Sequence, residues 1–171
     1  MEPHFDLPPS PWVQRWVGWI RPGGSVLDLA CGSGRHARLL ARLGFEVDAV
    51  DRAPGLFDKP PPGVTLLGAD LEADPWPYQG RRFDGILVTN YLHRPLLPVL
   101  VGSLEAGGVL VYETFARGNE RFGKPSNPAF LLEPGELLEA VRGRLRVVAY
   151  EDQVVDEPRP AALQRICARQ E

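Results

Sequence analysis

Residues 26–36 read Val-Leu-Asp-Leu-Ala-Cys-Gly-Ser-Gly-Arg-His. An apolar run carrying one acid breaks into a Gly-x-Gly turn. The stretch Ala-Arg-Leu-Leu-Ala-Arg-Leu follows it, at 37–43. Strand, glycine turn and helix in that order mark a nucleotide site. Gly32 and Gly34 let the backbone approach a ligand where a Cβ would collide. The N–H groups that open the next helix point into the same crevice. The spacing Gly32-x-Gly34-x-x-Ala37 matches the dinucleotide fingerprint, which admits Ala at its third place. Asp51 ends the next apolar run, where a carboxylate can accept from both ribose hydroxyls. On these features alone, an oxidoreductase that binds NAD stays open.

Working outward, short apolar runs bounded by turn residues predict seven strands, at 25–30, 46–51, 64–68, 83–89, 108–114, 145–151 and 163–168. Runs such as Gly-Ile-Leu-Val-Thr are apolar throughout, as in strands covered on both faces. Helical spacing predicts helices at 12–20, 35–43, 92–104 and 134–141, the last with Pro134 in its first turn. Alternating strands and helices give an α/β fold: a single doubly wound, Rossmann-like, seven-stranded sheet, mostly parallel. The last two strands have no helix between them and should pair as an antiparallel C-terminal edge hairpin. The whole of 1–171 reads as one domain.

The totals narrow the function. The chain has 171 residues, 44% of them hydrophobic, a net charge of −3 and two cysteines. That balance argues against a nucleic-acid partner. Cys31 and Cys167 give neither a disulfide framework nor a metal cluster. No apolar run approaches the ~20 residues of a membrane span. The acidic, Pro-rich start lacks the pattern of a signal peptide, so a cytoplasmic setting is expected.

Three features choose between ligands. Asp28 stands inside an apolar strand, which is costly unless it is paired, and suits a ligand with positive charge. Gly-Ala-Asp at 68–70 puts an acid at the end of the third strand, where an adenine amino group could be met. There is no Tyr-x-x-x-Lys and no second domain for a hydride acceptor. A cationic ligand that contains adenosine is S-adenosylmethionine.

Here the chain resembles a family. The segment 26–51 looks like the first two motifs of the class I S-adenosylmethionine-dependent methyltransferases. Segments 68–77, 83–97 and 104–115 resemble the following ones. The Ala-Cys-Gly-Ser-Gly-Arg-His-Ala form is similar to the compact bacterial enzymes of the tellurite- and thiopurine-resistance type. Ala30 departs from the Gly often found there.

The resemblance implies methyl transfer from S-adenosyl-L-methionine to a small-molecule acceptor. The expected cofactor residues are Asp28, Ala30, Cys31, Gly32, Gly34, Asp51, Arg52, Asp70, Leu71 (through its N–H) and Asn90. Asn90, Tyr91 and His93, in the loop after the fourth strand, are the candidates beside the transferred methyl. No metal is expected. Asp28 and Asp70 could instead cap nearby backbone, and His93 could be an ordinary loop histidine. The long segment 113–136 mixes glycines, prolines and three phenylalanines on the cofactor's rim. It reads as a lid, with Glu113, Arg117, Asn119 and Arg121 as polar contacts. A cofactor-binding module without turnover, acting through a protein partner, is the remaining alternative.

Overall fold

The computed structural model describes residues 7–171, so most of the Pro-rich start lies outside the described residues. Seven strands form one sheet: β1 (Ser25–Leu29), β2 (Glu46–Asp51), β3 (Val64–Gly68), β4 (Phe83–Thr89), β5 (Leu104–Phe115), β6 (Arg146–Val155) and β7 (Ala161–Arg169). Their order is β3-β2-β1-β4-β5-β7-β6. The pairs from β3 to β5 are parallel, and β7 runs antiparallel between β5 and β6. The final hairpin is as expected, with β6 as the outer edge.

The helices are shorter than their hydrophobic spacing predicts. They are α1 (Pro11–Trp16), α2 (Arg35–Arg42), α3 (Leu97–Gly102) and α4 (Glu136–Val141). The stretch expected to be helical at 92–104 opens as a single 3-10 turn, Arg94–Leu96, with Pro at its start. Its last residue, Leu104, pairs with Phe83 and belongs to β5. Pro134 stays outside α4. Gly135, left-handed at φ 75°, precedes that helix, and the buried Gln164 side chain accepts from the Leu137 N–H at 2.8 Å. Gly18 follows α1, where the chain tightens into the 3-10 turn Val17–Trp19. No helix of the described residues is long and apolar enough to cross a membrane.

Alternation along the strands sorts the core into two layers. Leu27, Leu29, Ile86, Val88, Leu110 and Tyr112 pack with Leu100 of α3 and Leu137 of α4. Val26, Leu87, Val109 and Val111 pack with Trp12 of α1 and Leu40 of α2. The same period sends Asp28, Thr89 and Glu113 to the α1–α2 face, at or near the carboxyl ends of their strands.

Thr89 and Glu113 are satisfied through a buried network. The Ser10 hydroxyl caps α1 by accepting from Trp12 N–H at 3.2 Å, and donates to Glu113 Oε1 at 3.0 Å. Arg165 of β7 donates to Glu113 and, at 3.2 Å, to Glu151. His36 Nε2 accepts from Ser10 N–H at 3.0 Å, so the ring proton sits on Nδ1, facing Thr89 Oγ1 at 3.3 Å. Burial, then the nearby Arg35 charge, push the His36 pKa down to about 3, which keeps the ring neutral.

Removing one member of a buried ion pair strands the other charge and costs about 3–5 kcal/mol. Arg165→Ala should lower the unfolding free energy, measured by urea titration, by an amount in that range. A variant within about 0.5 kcal/mol of the parent would mean the network carries no stability.

Candidate active site

The site forms where β1 and β4 part at the sheet's switch point, outside the carboxyl ends of the strands. β1 ends as Ala30 turns left-handed at φ 54°, a conformation uncommon for a residue with a side chain. Cys31 N–H donates to Val50 O at 3.0 Å, which keeps the turn against β2. Asp51 then fixes the turn from below. Its Oδ2 accepts from Gly32 N–H and its Oδ1 from Ala53 N–H, each at 2.9 Å. An ionised carboxylate offers about four acceptor positions, so two remain.

The two glycines have different duties. A Cβ on Gly32 would meet nothing within 4 Å, so it would project into open space beside Asp51. A Cβ on Gly34 would lie 2.2 Å from the ring of Phe57. Phe57 is buried, with the Arg38 guanidinium 4.8 Å from its ring centre. Gly34 therefore serves packing under the turn, through an aromatic that sits inside what the sequence presents as a plain connector.

Two adjoining hollows open here. The first, of about 270 Å³, is lined by Ala30, Asp51, Arg52, Asp70, Leu71 and Ala69. The second, of about 710 Å³, includes Asn90, Leu92, Thr114, Phe115 and residues of the long loop. Glu72, Tyr91 and Phe130 line both and form the shared wall.

The structure thus brings Ala30, Asp51, Arg52, Asp70 and Leu71 to one hollow, Asn90 to the other and Tyr91 to both. Asp28, Cys31, Gly32, Gly34 and His93 line neither. Asp28 is 2% exposed, and its Oδ2 has no hydrogen-bond partner among the described residues. Burial raises its pKa to about 7, against the lowering effect of a hydrogen bond from the Ala37 backbone. Burial also raises the Cys31 thiol well above its usual range, so it is no nucleophile. Asp70 caps its own turn, accepting from Glu72 N–H at 2.9 Å and Ala73 N–H at 3.2 Å. His93 Nδ1 lies 3.5 Å from Glu72 Oε1. Asn90 is left-handed at φ 56°, and its N–H donates to Glu113 O at 2.9 Å. The buried Tyr112 hydroxyl donates to Tyr91 O at 2.7 Å and holds this loop down. Among the described residues, no group of three or more His, Cys, Asp or Glu could hold a metal ion.

The long loop is anchored at both ends. Arg117 N–H donates to Leu132 O, and Leu132 N–H to Phe115 O, each at 3.0 Å. Arg94 clamps Glu136 at 2.7 Å and the carbonyls of Ala129 and Leu131 at 3.0 and 2.8 Å. Two of its expected polar contacts are structural. Glu113 is in the buried network. Asn119 accepts from Ala162 N–H at 3.1 Å and donates to Pro125 O at 2.9 Å. Arg117 pairs with Glu133 at 3.1 Å, and Arg121 donates to Gly118 O at 3.2 Å. The sequence reading missed Phe57 and Glu72, and had Phe130 only as one of three aromatics of the long loop. Glu72 could have been found from its place directly after Asp70 and Leu71.

Comparison with known proteins fits this geometry. Residues 26–104 match the model of a methyltransferase domain. A protein-L-isoaspartate O-methyltransferase of Chlorobaculum tepidum is 37% identical over 98 residues, which are 53% of this chain and 44% of that protein. The chain spans about half the length of the curated relatives it matches. TehB from Haemophilus influenzae superimposes with a TM-score of 0.72 at 18% identity, over 94% of this chain and 61% of that one. A TehB-like S-adenosylmethionine-dependent methyltransferase from Corynebacterium glutamicum gives 0.67 at 21% identity, over 94% and 88%. With its glycine turn, its sheet order and this domain match, the chain is similar to methyltransferases over residues 26–104 and has the compact fold of the TehB-like structures.

Proposed function

We propose that this protein transfers a methyl group from S-adenosylmethionine, held in the first hollow, to a small-molecule acceptor held in the second. One observation carries the reading: Asp51, with two acceptor positions to spare, stands beside the space that a Gly32 Cβ would fill. The donor set suits the cofactor. Asp51 would accept from ribose hydroxyls, Asp70 and the Leu71 N–H would face the adenine, and Arg52 would cover the hollow's outer side. Asp28, with an unpartnered buried oxygen beneath the turn, would balance positive charge directly or through water. The bound cofactor supplies an activated methyl on a sulfonium.

The chain's own task is then alignment, which is worth up to ~7–11 kcal/mol when ideal. Tyr91 and Phe130 stand between the hollows and would set the line along which the acceptor approaches. Asn90 would turn a polar group toward that line. Desolvation first, and then the acids Glu72 and Asp70, push the Tyr91 hydroxyl up to about 12, so it stays a neutral donor. His93 lines neither hollow, and any part it takes in proton removal would run through Glu72. A thiol or anionic acceptor needs no base. Although two relatives are named for protein isoaspartate and a third for a malonyl-acyl-carrier protein, a second hollow walled by an anchored loop favours a small molecule.

Calorimetry should detect binding of S-adenosylmethionine and S-adenosylhomocysteine but not of NADH. Asp51→Ala should weaken both by ~1.5–3 kcal/mol or more, the worth of a hydrogen bond to a charged group. Gly32→Val should abolish binding, since its side chain enters the cofactor's space. Unchanged affinity in Asp51→Ala would remove that residue from the site and the reading with it.

Asp28 gives a prediction in pH. The folded protein keeps its proton up to about pH 7, whereas the unfolded chain releases it near 3.8. The contribution of Asp28 to stability therefore falls as pH rises from about 4 to 7. Asp28→Asn should remove that fall and melt higher than the parent at pH 8. A positively charged ligand favours the ionised form, so S-adenosylmethionine should bind the parent more tightly as pH rises through 7. Asp28→Asn should bind with a flat profile. An unaltered pH profile in the variant would mean that Asp28 does not face the cofactor's charge.

A further inference from the structure

We propose that the second hollow takes a flat aromatic acceptor carrying an anionic group. Lys124 and Arg159 hold the anion, and the end to be methylated lies at the wall shared with the first hollow. This deepens the reading above and rests on the first hollow being the cofactor's.

Size and surface come first. At about 710 Å³ the hollow is within the usual ~300–1,000 Å³ of small-molecule sites. Its apolar wall is mainly aromatic, with Phe115, Phe122 and Phe130 joining Tyr91. Phe122 and Phe130 remain 41% and 48% exposed, unusual for phenylalanines on an anchored loop. A planar guest lying against these rings covers apolar surface that water otherwise wets.

Charge then sets the direction. Lys124 and Arg159 line the second hollow and not the first, whereas Glu72 lines both. Of the other arginines around this rim, Arg94 is paired with Glu136, Arg117 with Glu133 and Arg165 with Glu113, while Arg52 lines the first hollow together with Asp51 and Asp70. Lys124 and Arg159 form no ion pair among the described residues. The Lys124 ammonium has only Ser126 Oγ, at 3.4 Å. The two cations come from separate segments, the loop after β5 and the turn between β6 and β7, yet face one cavity. Two uncommitted cations in a concave site draw an anion. Glu72 at the shared wall repels the same anion. A guest with one charged end therefore enters one way round, with its neutral end toward Tyr91 and the cofactor side.

Calorimetry decides this with 4-hydroxybenzoate and 1-hydroxy-2-naphthoate against their uncharged carboxamides, and with hexanoate as a non-aromatic anion. Each is titrated into free protein and into protein saturated with S-adenosylhomocysteine. The aromatic carboxylates should bind at least tenfold more tightly than either their carboxamides or hexanoate. The double variant Lys124→Gln/Arg159→Gln should bring carboxylate down to carboxamide while affinity for S-adenosylhomocysteine and the melting temperature stay unchanged. Equal binding of acid and amide, a preference that survives in the double variant, or no binding of either aromatic carboxylate overturns the proposal. If S-adenosylhomocysteine fails to bind while the carboxylate preference holds in free protein, the cofactor reading falls and the anion site stands.

Discussion

The carboxylate of Asp51 is the joint on which the site turns. It reaches from the end of β2 to the backbone of the glycine turn after β1, and holds Gly32 N–H and Ala53 N–H at 2.9 Å each. Two connections that would otherwise be independent loops become one rigid corner. Bonds from backbone N–H groups to a carboxylate are of the stronger, charge-assisted kind. The corner keeps the first hollow open between β1 and β3. The same side chain is thus both a strut and part of the wall of the first hollow. In such an arrangement, binding and local order are coupled by construction.

Opposite that corner, a second constraint sets the other hollow. Thr89 and Glu113 fall on the α1–α2 face because side chains alternate along β4 and β5. Burial there demands partners. Ser10, His36 and Arg165 supply them, from the chain's first described turn, from α2 and from β7. The network ties the start of the chain to its end beneath the loop that carries Asn90 and Tyr91. That loop is held from the other side by Tyr112. With its floor fixed from both faces, the rest of this hollow's wall comes from the phenylalanines of the long loop and from Lys124 and Arg159 on two separate segments.

Much of the fold was legible because it is written in local period. The strands at 46–51, 64–68 and 83–89 match their apolar runs residue for residue. The helices were overread. Residues 92–104 have helical spacing, but Pro95 and Pro98 limit where a helix can start, and pairing with Phe83 recruits Leu104 into β5. Asp51, Asp70 and Leu71, chosen for their places at strand ends, do come to line one hollow. Glu113 and Asn119 read as ligand contacts because they are polar residues in a turn-rich loop. In the structure they serve the backbone and a buried arginine instead.

The sequence by itself determined the strand, glycine turn and helix at 26–42 and the doubly wound sheet, since each rests on neighbours a few residues apart. Tertiary structure decided everything that needs partners distant in the chain. It put Phe57 under Gly34, made Asp28 a buried acid with an unpartnered oxygen, and took His93 off both cavity walls. It also brought Lys124 and Arg159 to one hollow from two loops. A local pattern records which face a residue takes. Only the packed sheet, with its crossovers and its final antiparallel hairpin, fixes what stands opposite that face, and so which charges are spent on the fold and which are left for a ligand.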